Sequence, residues 1–207
     1  MTKPVEPDDP RIRLLLAYVN RVKERAASGG YSGVNRRRFT EVLRSIESTL
    51  QELRYSYLPP EDVSERLKDS LPVLKDVVDS KEPELRWLVE YLEHVDEVFE
   101  REIRDESDAV LCVVGEVGNV REHPDADNLY ITVVNTGRFG KRTVVTNLTD
   151  VEEGDSMSIA LLPPREFSGV VSEGMFCGEA DGEPGEIIEP PKRGEVRSIV
   201  LEWIEGV

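Results

Sequence analysis

The sequence is poor in the residues from which metal and catalytic sites are most often built. It has only two cysteines and two histidines among 207 residues. Cys112 and Cys177 both lie in apolar, strand-like segments, which favours buried reduced thiols over a disulfide framework or a metal cluster, with a Cys112–Cys177 bridge as the alternative. No nucleophile elbow, phosphate-binding loop or zinc-ligand spacing occurs. The sequence therefore predicts a protein that is not an enzyme, with no catalytic residues, no metal and no cofactor.

Long hydrophobic runs are also missing. No window approaches the roughly 18 uninterrupted apolar residues that a membrane span needs. The first residues, Met1 to Pro7, lack the apolar core of a signal peptide. We therefore expect a cytoplasmic protein that does not associate with membranes.

Positive charge is scarce, and its distribution is uneven. Residues 1–105 contain 18 Lys and Arg against 22 Asp and Glu, a balance of −4, whereas the remainder has 8 against 20, a balance of −12. The second half therefore repels polyanions on average, and only a local basic patch could offset this repulsion. An acidic bias of this kind can also reflect a cytoplasm with high salt, so it does not exclude nucleic-acid binding.

Apolar residues repeat with a helical period up to about residue 107, which predicts a first domain of residues 1–107. The pattern predicts four amphipathic helices joined by short connections, which form an antiparallel helical bundle. A flexible glycine-rich loop is expected at residues 28–33, and Pro72 should kink the third helix or split it into two. The predicted helices span residues 8–27, 35–57, 61–80 and 83–103.

After Asp108 the period changes to two, which predicts a second, β-rich domain of residues 108–207 and hence an α+β protein. About five short strands suit a small closed barrel, because closure removes exposed sheet edges. Residues 137–140 fit a hairpin turn, residues 180–194 are expected to be loop, and the apolar segment 195–204 is expected to pack on the barrel, the bundle or a second subunit. The predicted strands span residues 110–120, 129–134, 141–146, 156–162 and 174–178.

Two separated motifs carry the clearest family signal. The first is His123-Pro124-Asp125-Ala126-Asp127-Asn128-Leu129-Tyr130, and the second is Gly169-Val170-Val171-Ser172-Glu173-Gly174-Met175. With Val144-Val145-Thr146-Asn147 between them, they resemble the tRNA-binding OB-fold domain over about residues 110–180. That family includes domains of methionyl-, tyrosyl- and phenylalanyl-tRNA synthetases and free-standing tRNA-binding proteins. The resemblance implies a five-stranded OB barrel whose groove binds tRNA by shape and backbone contacts.

The resemblance also implies where RNA would bind. By position it places polar and apolar contacts of the groove at Asn128, Asn147, Ser172 and Met175. Flanking cations that could steer phosphates are present in the barrel half and at the start of the second predicted helix; we expect them to include Arg142, Arg165, Arg36, Arg37 and Arg38. The basic stretch that family members usually carry before the second motif is replaced here by Glu166-Phe167-Ser168-Gly169.

Several interpretations stay open at this point. His123 with Asp125 and Asp127 could ligate a metal or act as an acid/base set, but their spacing better fits a turn that bonds its own backbone. The run Arg36–Arg38 is equally well explained as a solvated face or as a site with an acidic or phosphate partner.

The missing cations also favour a rival hypothesis for function. In it the chain is an adaptor that docks onto an aminoacyl-tRNA synthetase or another protein, and its acidic barrel no longer binds nucleic acid. Homodimerisation is a further expectation, because free-standing relatives pair through additions to the barrel and residues 196–204 are an apolar addition of that kind.

Overall fold

A computed structural model describes residues 3–78 and 81–206. The chain forms two compact units, each with its own core. The helical unit comprises Met1–Ala109 and Ile199–Val207, and the strand unit comprises Val110–Ser198. This division confirms the predicted fold class, with helices first and a curled antiparallel sheet second.

The helices of the first unit follow the predicted amphipathic pattern, with two interruptions. The third predicted helix is split, with Pro72 in the first turn of its second piece, where proline is well accommodated. Its predicted end at residue 80 lies outside the described residues. The fourth predicted helix is interrupted at His94. The observed helices are α1 (Pro10–Ala27), α2 (Arg36–Arg54), α3 (Pro60–Lys68), α4 (Leu71–Val77), α5 (Pro83–Glu93) and α6 (Val95–Phe99).

Capping side chains explain where the two long helices begin. Asp9 accepts a hydrogen bond from the Arg11 amide at 2.9 Å at the start of α1, and Asn35 accepts one from the Arg38 amide at 3.2 Å at the start of α2. Each cap satisfies an amide that the helix itself cannot pair. Among the described residues, no helix combines the length and the apolar character that crossing a bilayer requires.

The segment that the apolar pattern left unassigned near the carboxyl terminus is a helix, α7 (Arg193–Glu205). The Trp203 ring lies 5.5 Å from the ring of Tyr18, which in turn lies 4.4 Å from buried Trp87. From Ile199 onward the segment therefore belongs to the helical unit, whereas its first residues, up to Ser198, belong to the strand unit. Homodimerisation stays a prediction.

The strand unit contains a six-stranded antiparallel sheet and a separate two-stranded hairpin. The strands are β1 (Cys112–Glu122), β2 (Tyr130–Asn135), β3 (Lys141–Thr146), β4 (Ser156–Ala160), β5 (Arg165–Phe167), β6 (Val170–Ser172), β7 (Met175–Glu179) and β8 (Ile187–Ile188). In the sheet the order is β3-β2-β1-β4-β7, and β8 pairs with the first half of β1; β5 and β6 form the hairpin. The five predicted strands are all present, whereas the three additional ones, two or three residues long, are too short to show a period.

The prediction that residues 180–194 form only a loop is wrong. β8 pairs with Cys112 and Val113, and Val114 exchanges two backbone hydrogen bonds with the segment 185–186, at 2.8 and 2.9 Å. This pairing covers the part of β1 that β2 leaves open, so the segment completes the sheet.

Both cysteines are buried and reduced, as predicted. A hydrogen bond with the side chain of Cys112 lowers the pKa of Cys177, and this places the two thiols next to each other in the core.

Candidate nucleic-acid interface

The first motif is a turn held together by its histidine. The Nδ1 atom of His123 accepts a hydrogen bond from the Asp125 amide at 3.1 Å, and Nε2 lies 3.0 Å from the carbonyl oxygen of Phe167. Since Nδ1 accepts, the proton sits on Nε2 and is donated to Phe167, which defines a neutral imidazole. His123 therefore ties the β1–β2 turn to the β5–β6 hairpin. The interpretation of this motif as a structural turn agrees with these contacts.

The residues that replace the family's basic stretch form that hairpin. Phe167 pairs with Val170, which leaves Ser168 and Gly169 as a two-residue turn. Their φ angles are 47° and 87°, both in the left-handed region, as the common tight hairpin turn requires. A Ser-Gly pair between apolar residues was the signal that could have revealed this hairpin in the sequence.

The second motif links the β5–β6 hairpin to the edge of the main sheet. The Ser172 hydroxyl accepts a hydrogen bond from the Val145 amide at 3.0 Å and donates one to the Gly174 carbonyl at 2.9 Å. Glu173 bonds Thr143 twice: its amide donates to the Thr143 carbonyl at 2.8 Å, and its carboxylate accepts from the Thr143 amide at 3.1 Å. Together these bonds pair the outer edge of β3, and we call Ser172 and Glu173 the β3 clasp.

We expect Ser172→Ala to destabilise the strand unit by about 1–2 kcal/mol, because the substitution leaves the amide of half-buried Val145 without its acceptor. Ser198→Ala is the matched control, since the exposed Ser198 hydroxyl bonds only the Gly194 carbonyl of its own helix. Amide hydrogen exchange measured by NMR would show faster exchange at Val145 in Ser172→Ala alone. Unchanged protection of that amide would contradict the clasp.

One face of the sheet is aligned by strand register and is exposed at most positions, except at buried Ile131 and half-buried Thr143 and Val145. Arg121 pairs with Ile131, which pairs with Val145, and Asn119 pairs with Val133, which pairs with Thr143. Directly opposed residues of an antiparallel ladder project from the same face. Buried Val117, Val134 and Val144 belong to the opposite face. We call the first set the outer sheet face; it comprises Glu116, Asn119, Arg121, Ile131, Val133, Asn135, Lys141, Thr143 and Val145.

The outer sheet face carries two exposed cations, Arg121 and Lys141, and one exposed carboxylate, Glu116. Asn119, Asn135 and Thr143 add amide and hydroxyl groups, which bond both phosphate and 2′-OH. The site residues expected from the sequence do not include Arg121 or Lys141. The alternation of β2 and β3, combined with the hairpin turn at residues 137–140, was the signal that could have placed Lys141 on this face.

Two of the expected site residues lie together at one end of this face, and two others lie on strands outside it. β2 begins where β3 ends, so Asn128, with φ of 60°, and exposed Asn147 lie at the same end of that hairpin. Arg165 lies in the hairpin that His123 contacts, and its guanidinium is 5.9 Å from the centre of the Phe167 ring. Half-buried Met175 begins β7, opposite Ala160.

Two other expected site residues have structural roles in the strand unit. Arg142 is buried on the core face of β3, and its Nη2 donates to the Phe139 carbonyl at 3.0 Å. Ser172 is also buried, and both hydrogen-bonding functions of its hydroxyl are used in the β3 clasp. Both side chains therefore have hydrogen-bonding partners within the strand unit, and their role as RNA contacts stays a prediction.

The arginine run belongs to the helical unit and is exposed. Arg37 pairs with Glu41 at 3.2 Å, and Arg38 pairs with Asp76. Arg38 also lies at the edge of a cavity of about 530 Å³ between α2, α3 and α4. Two of the three arginines thus have acidic partners within the chain, which is one of the two interpretations that the sequence left open.

Within the described residues, no group of three or more His, Cys, Asp and Glu side chains is arranged to hold a metal ion. In particular, both ring nitrogens of His123 already have hydrogen-bonding partners.

Comparison with known proteins identifies the strand unit. Residues 112–197 match the family model described as a putative tRNA binding domain. The chain is 36% identical over 87 residues to the cytoplasmic tyrosine–tRNA ligase of Xenopus tropicalis, covering 38% of this chain and 16% of that protein. It is 31% identical over 129 residues to the phenylalanine–tRNA ligase beta subunit of Chlorobaculum tepidum, covering 54% and 15%.

A third relative is not named as a ligase. The chain is 32% identical over 84 residues to the aminoacyl tRNA synthase complex-interacting multifunctional protein 1 of Cricetulus griseus, covering 38% of this chain and 23% of that protein. The chain thus spans less than a quarter of each of these relatives. Residues 112–197 form a domain of the putative tRNA-binding family.

Proposed function

We propose that this chain is a non-catalytic protein that binds tRNA through the outer sheet face and the turns at its end. The match of residues 112–197 to the putative tRNA-binding family carries the proposal. The register adds support, because it gathers Arg121, Lys141 and three uncharged polar side chains on one face of an otherwise acidic domain.

Arg121 and Lys141 suit two separate phosphate contacts. Their β2 partners, Ile131 and Asn135, are four residues apart, which is about 13 Å along the strand. Asn119 and Thr143 lie between them and can donate to phosphate or 2′-OH oxygens. None of these contacts reads a base edge, so the proposal is recognition of tRNA shape and backbone.

The test is binding of total tRNA to the full chain over a series of salt concentrations. We expect the affinity for tRNA to fall steeply as the salt concentration rises. The double variant Arg121→Ala, Lys141→Ala should bind tRNA at least about tenfold more weakly, and the slope of its log affinity against log salt concentration should be smaller by about 1–2. Lys192→Ala, Arg193→Ala is the matched control, because it removes the same charge from residues that already pair with Glu195 and Glu189. Equal losses in both variants would point to net charge alone and contradict the proposed face.

A second candidate function is the adaptor. The −12 balance after residue 105 and the relative named as a synthase complex-interacting protein favour it. Here the chain would bind a purified aminoacyl-tRNA synthetase in sedimentation experiments and would not bind tRNA even at low salt. That pair of results would replace the tRNA proposal. Cytoplasmic localisation and homodimerisation are retained as predictions with either function.

A further inference from the structure

The chain leaves α2 through a short segment that exposes two aromatic rings. Tyr55 is 61% exposed and Tyr57 is 59% exposed, more than any other large hydrophobic side chain in the described residues. Arg54 precedes them as the last residue of α2. We call Arg54, Tyr55 and Tyr57 the tyrosine patch.

Tyr57 adopts an unfavourable backbone conformation, with φ of 51°. The left-handed region is unfavourable for a residue with a side chain, whereas Gly adopts it freely and Asn more readily than Tyr. The turn is fixed on both sides of Tyr57, because the Ser56 hydroxyl donates to the Leu53 carbonyl at 2.8 Å and the Leu58 carbonyl accepts from the Val5 amide at 2.8 Å. The exposed ring adds little to the core, so the fold itself does not account for a tyrosine at this position.

The cation of the patch is held in place without being neutralised. Arg54 Nε donates to the Pro7 carbonyl at 2.8 Å, and the guanidinium carbon lies 5.4 Å from the centre of the Tyr55 ring. Within the described part of the chain Arg54 has no carboxylate partner, unlike neighbouring Arg66, which pairs with Glu52 at 3.6 Å. The patch therefore offers a fixed positive charge beside the exposed Tyr55 ring, with a second exposed ring at Tyr57, two residues further along the chain.

We propose that the tyrosine patch is a second RNA-binding site that takes unpaired nucleotides. Each unpaired nucleotide presents a flat base, which stacks on an aromatic ring, and a phosphate, which pairs with a guanidinium. A duplex offers the phosphate but not the open base face, so the patch distinguishes single-stranded from paired RNA. This inference depends on the proposed function in one respect, which is that the RNA bound at the patch is tRNA.

The test uses the full chain and three probes: a fluorescein-labelled oligoadenylate 12-mer, an RNA duplex of the same length, and total tRNA. We expect Tyr55→Ala, Tyr57→Ala to bind oligoadenylate about tenfold or more weakly than the unaltered chain, since stacking on each ring contributes strongly to binding. The matched variant Tyr55→Phe, Tyr57→Phe keeps both rings and is expected to retain affinity. Duplex binding should be the same in all three proteins.

A third variant guards against misfolding. Tyr57→Asn suits the left-handed backbone and should fold at least as well, while it loses one of the two rings. Fluorescence of Trp87 and Trp203, both in the helical unit, reports whether each variant is folded. Unchanged oligoadenylate binding by folded Tyr57→Asn and by the double alanine variant would overturn the site.

The outcomes separate this inference from the proposed function. If the chain fails to bind tRNA but binds oligoadenylate through its tyrosines, the proposed function falls and the site stands. If the chain binds tRNA and the alanine variants bind both single-stranded RNA and tRNA unchanged, the site falls and the proposed function stands. Equal losses with Phe and Ala, or no binding of oligoadenylate by the unaltered chain at low salt, would overturn stacking on the patch.

Discussion

Replacing Arg11 with methionine is expected to destabilise the helical unit by about 3–5 kcal/mol, the usual cost of removing one partner of a buried ion pair. Arg11 and Asp9 are both buried, and the Arg11 Nη2 atom lies 2.6 Å from Asp9 Oδ2. Methionine fills much of the same volume without the charge. The aspartate would then remain in the core as an uncompensated carboxylate.

Arg11 also connects the first helix to the end of the bundle. Its Nη1 atom donates to the carbonyls of Val98, Phe99 and Arg101 at 3.1–3.3 Å, and its guanidinium carbon lies 4.2 Å from the centre of the Phe99 ring. Val98 and Phe99 lie in the last turn of α6, where the carbonyl groups have no hydrogen-bonding partner within the helix, and Arg101 follows the helix. The substitution therefore leaves both an unpaired charge and unpaired acceptors.

Urea denaturation followed by tryptophan fluorescence measures this effect, because both tryptophans belong to the helical unit. Arg13→Met is the matched control, since Arg13 is half-buried and forms no ion pair in the described residues. The double variant Asp9→Asn, Arg11→Met should be less destabilised than Arg11→Met alone, because asparagine removes the charge and still accepts from the amide of residue 11. Equal stability of Arg11→Met and Arg13→Met would contradict a central role for the buried pair.

The helices could be predicted well because their signals are local. In α2 the apolar residues follow the helical period, and Asn35 supplies the cap at the expected position. The break at His94 was missed because the apolar period continues through it from Leu92 to Val95. The helical period of apolar residues indicates which side chains are buried. It does not indicate whether every backbone hydrogen bond of the helix is formed.

Strand positions were predicted well, but the faces of the strands were not. In β3 both Val144 and Val145 are apolar, so alternation does not decide which side is the core. Pairing with β2 decides it, and it turns Lys141 outward and Arg142 inward. Arg142, which the sequence analysis chose as an RNA contact, is therefore buried on the core face, whereas its neighbour Lys141 is exposed on the outer sheet face. The role of Arg142 as an RNA contact stays a prediction.

The second motif shows why a family resemblance does not assign roles to single residues. Ser172 and Glu173 mark the family in the sequence, but in the structure they satisfy the amides of Val145 and Thr143 at the edge of β3. A loss of RNA binding in Ser172→Ala would therefore not separate a lost contact from a lost clasp. Arg121 and Lys141 allow a clearer test because their side chains are exposed.

Gly137→Ala is expected to destabilise the strand unit by about 2–5 kcal/mol, from left-handed backbone strain and overpacking together. Gly137 has φ of 58° at the start of the β2–β3 turn, and a Cβ there would lie 2.1 Å from the Pro184 carbonyl oxygen. Backbone cannot yield as a flexible side chain would, so either the turn or the segment before β8 must move. That segment is held to β1 through Val114, which makes the displacement costly.

Gly169→Ala separates the two causes, because Gly169 is also left-handed, with φ of 87°, yet a Cβ there would meet nothing within 4 Å. We expect it to cost only the backbone strain, about 1–2 kcal/mol. Hydrogen exchange of β2 and β3 should rise in Gly137→Ala. Binding of tRNA should weaken in the same variant, because a displaced turn moves Lys141 relative to Arg121 on the outer sheet face. Equal destabilisation by the two substitutions would mean that the contact with Pro184 relaxes without cost. The segment before β8 would then not fix the β2–β3 hairpin, on which the proposed RNA face depends.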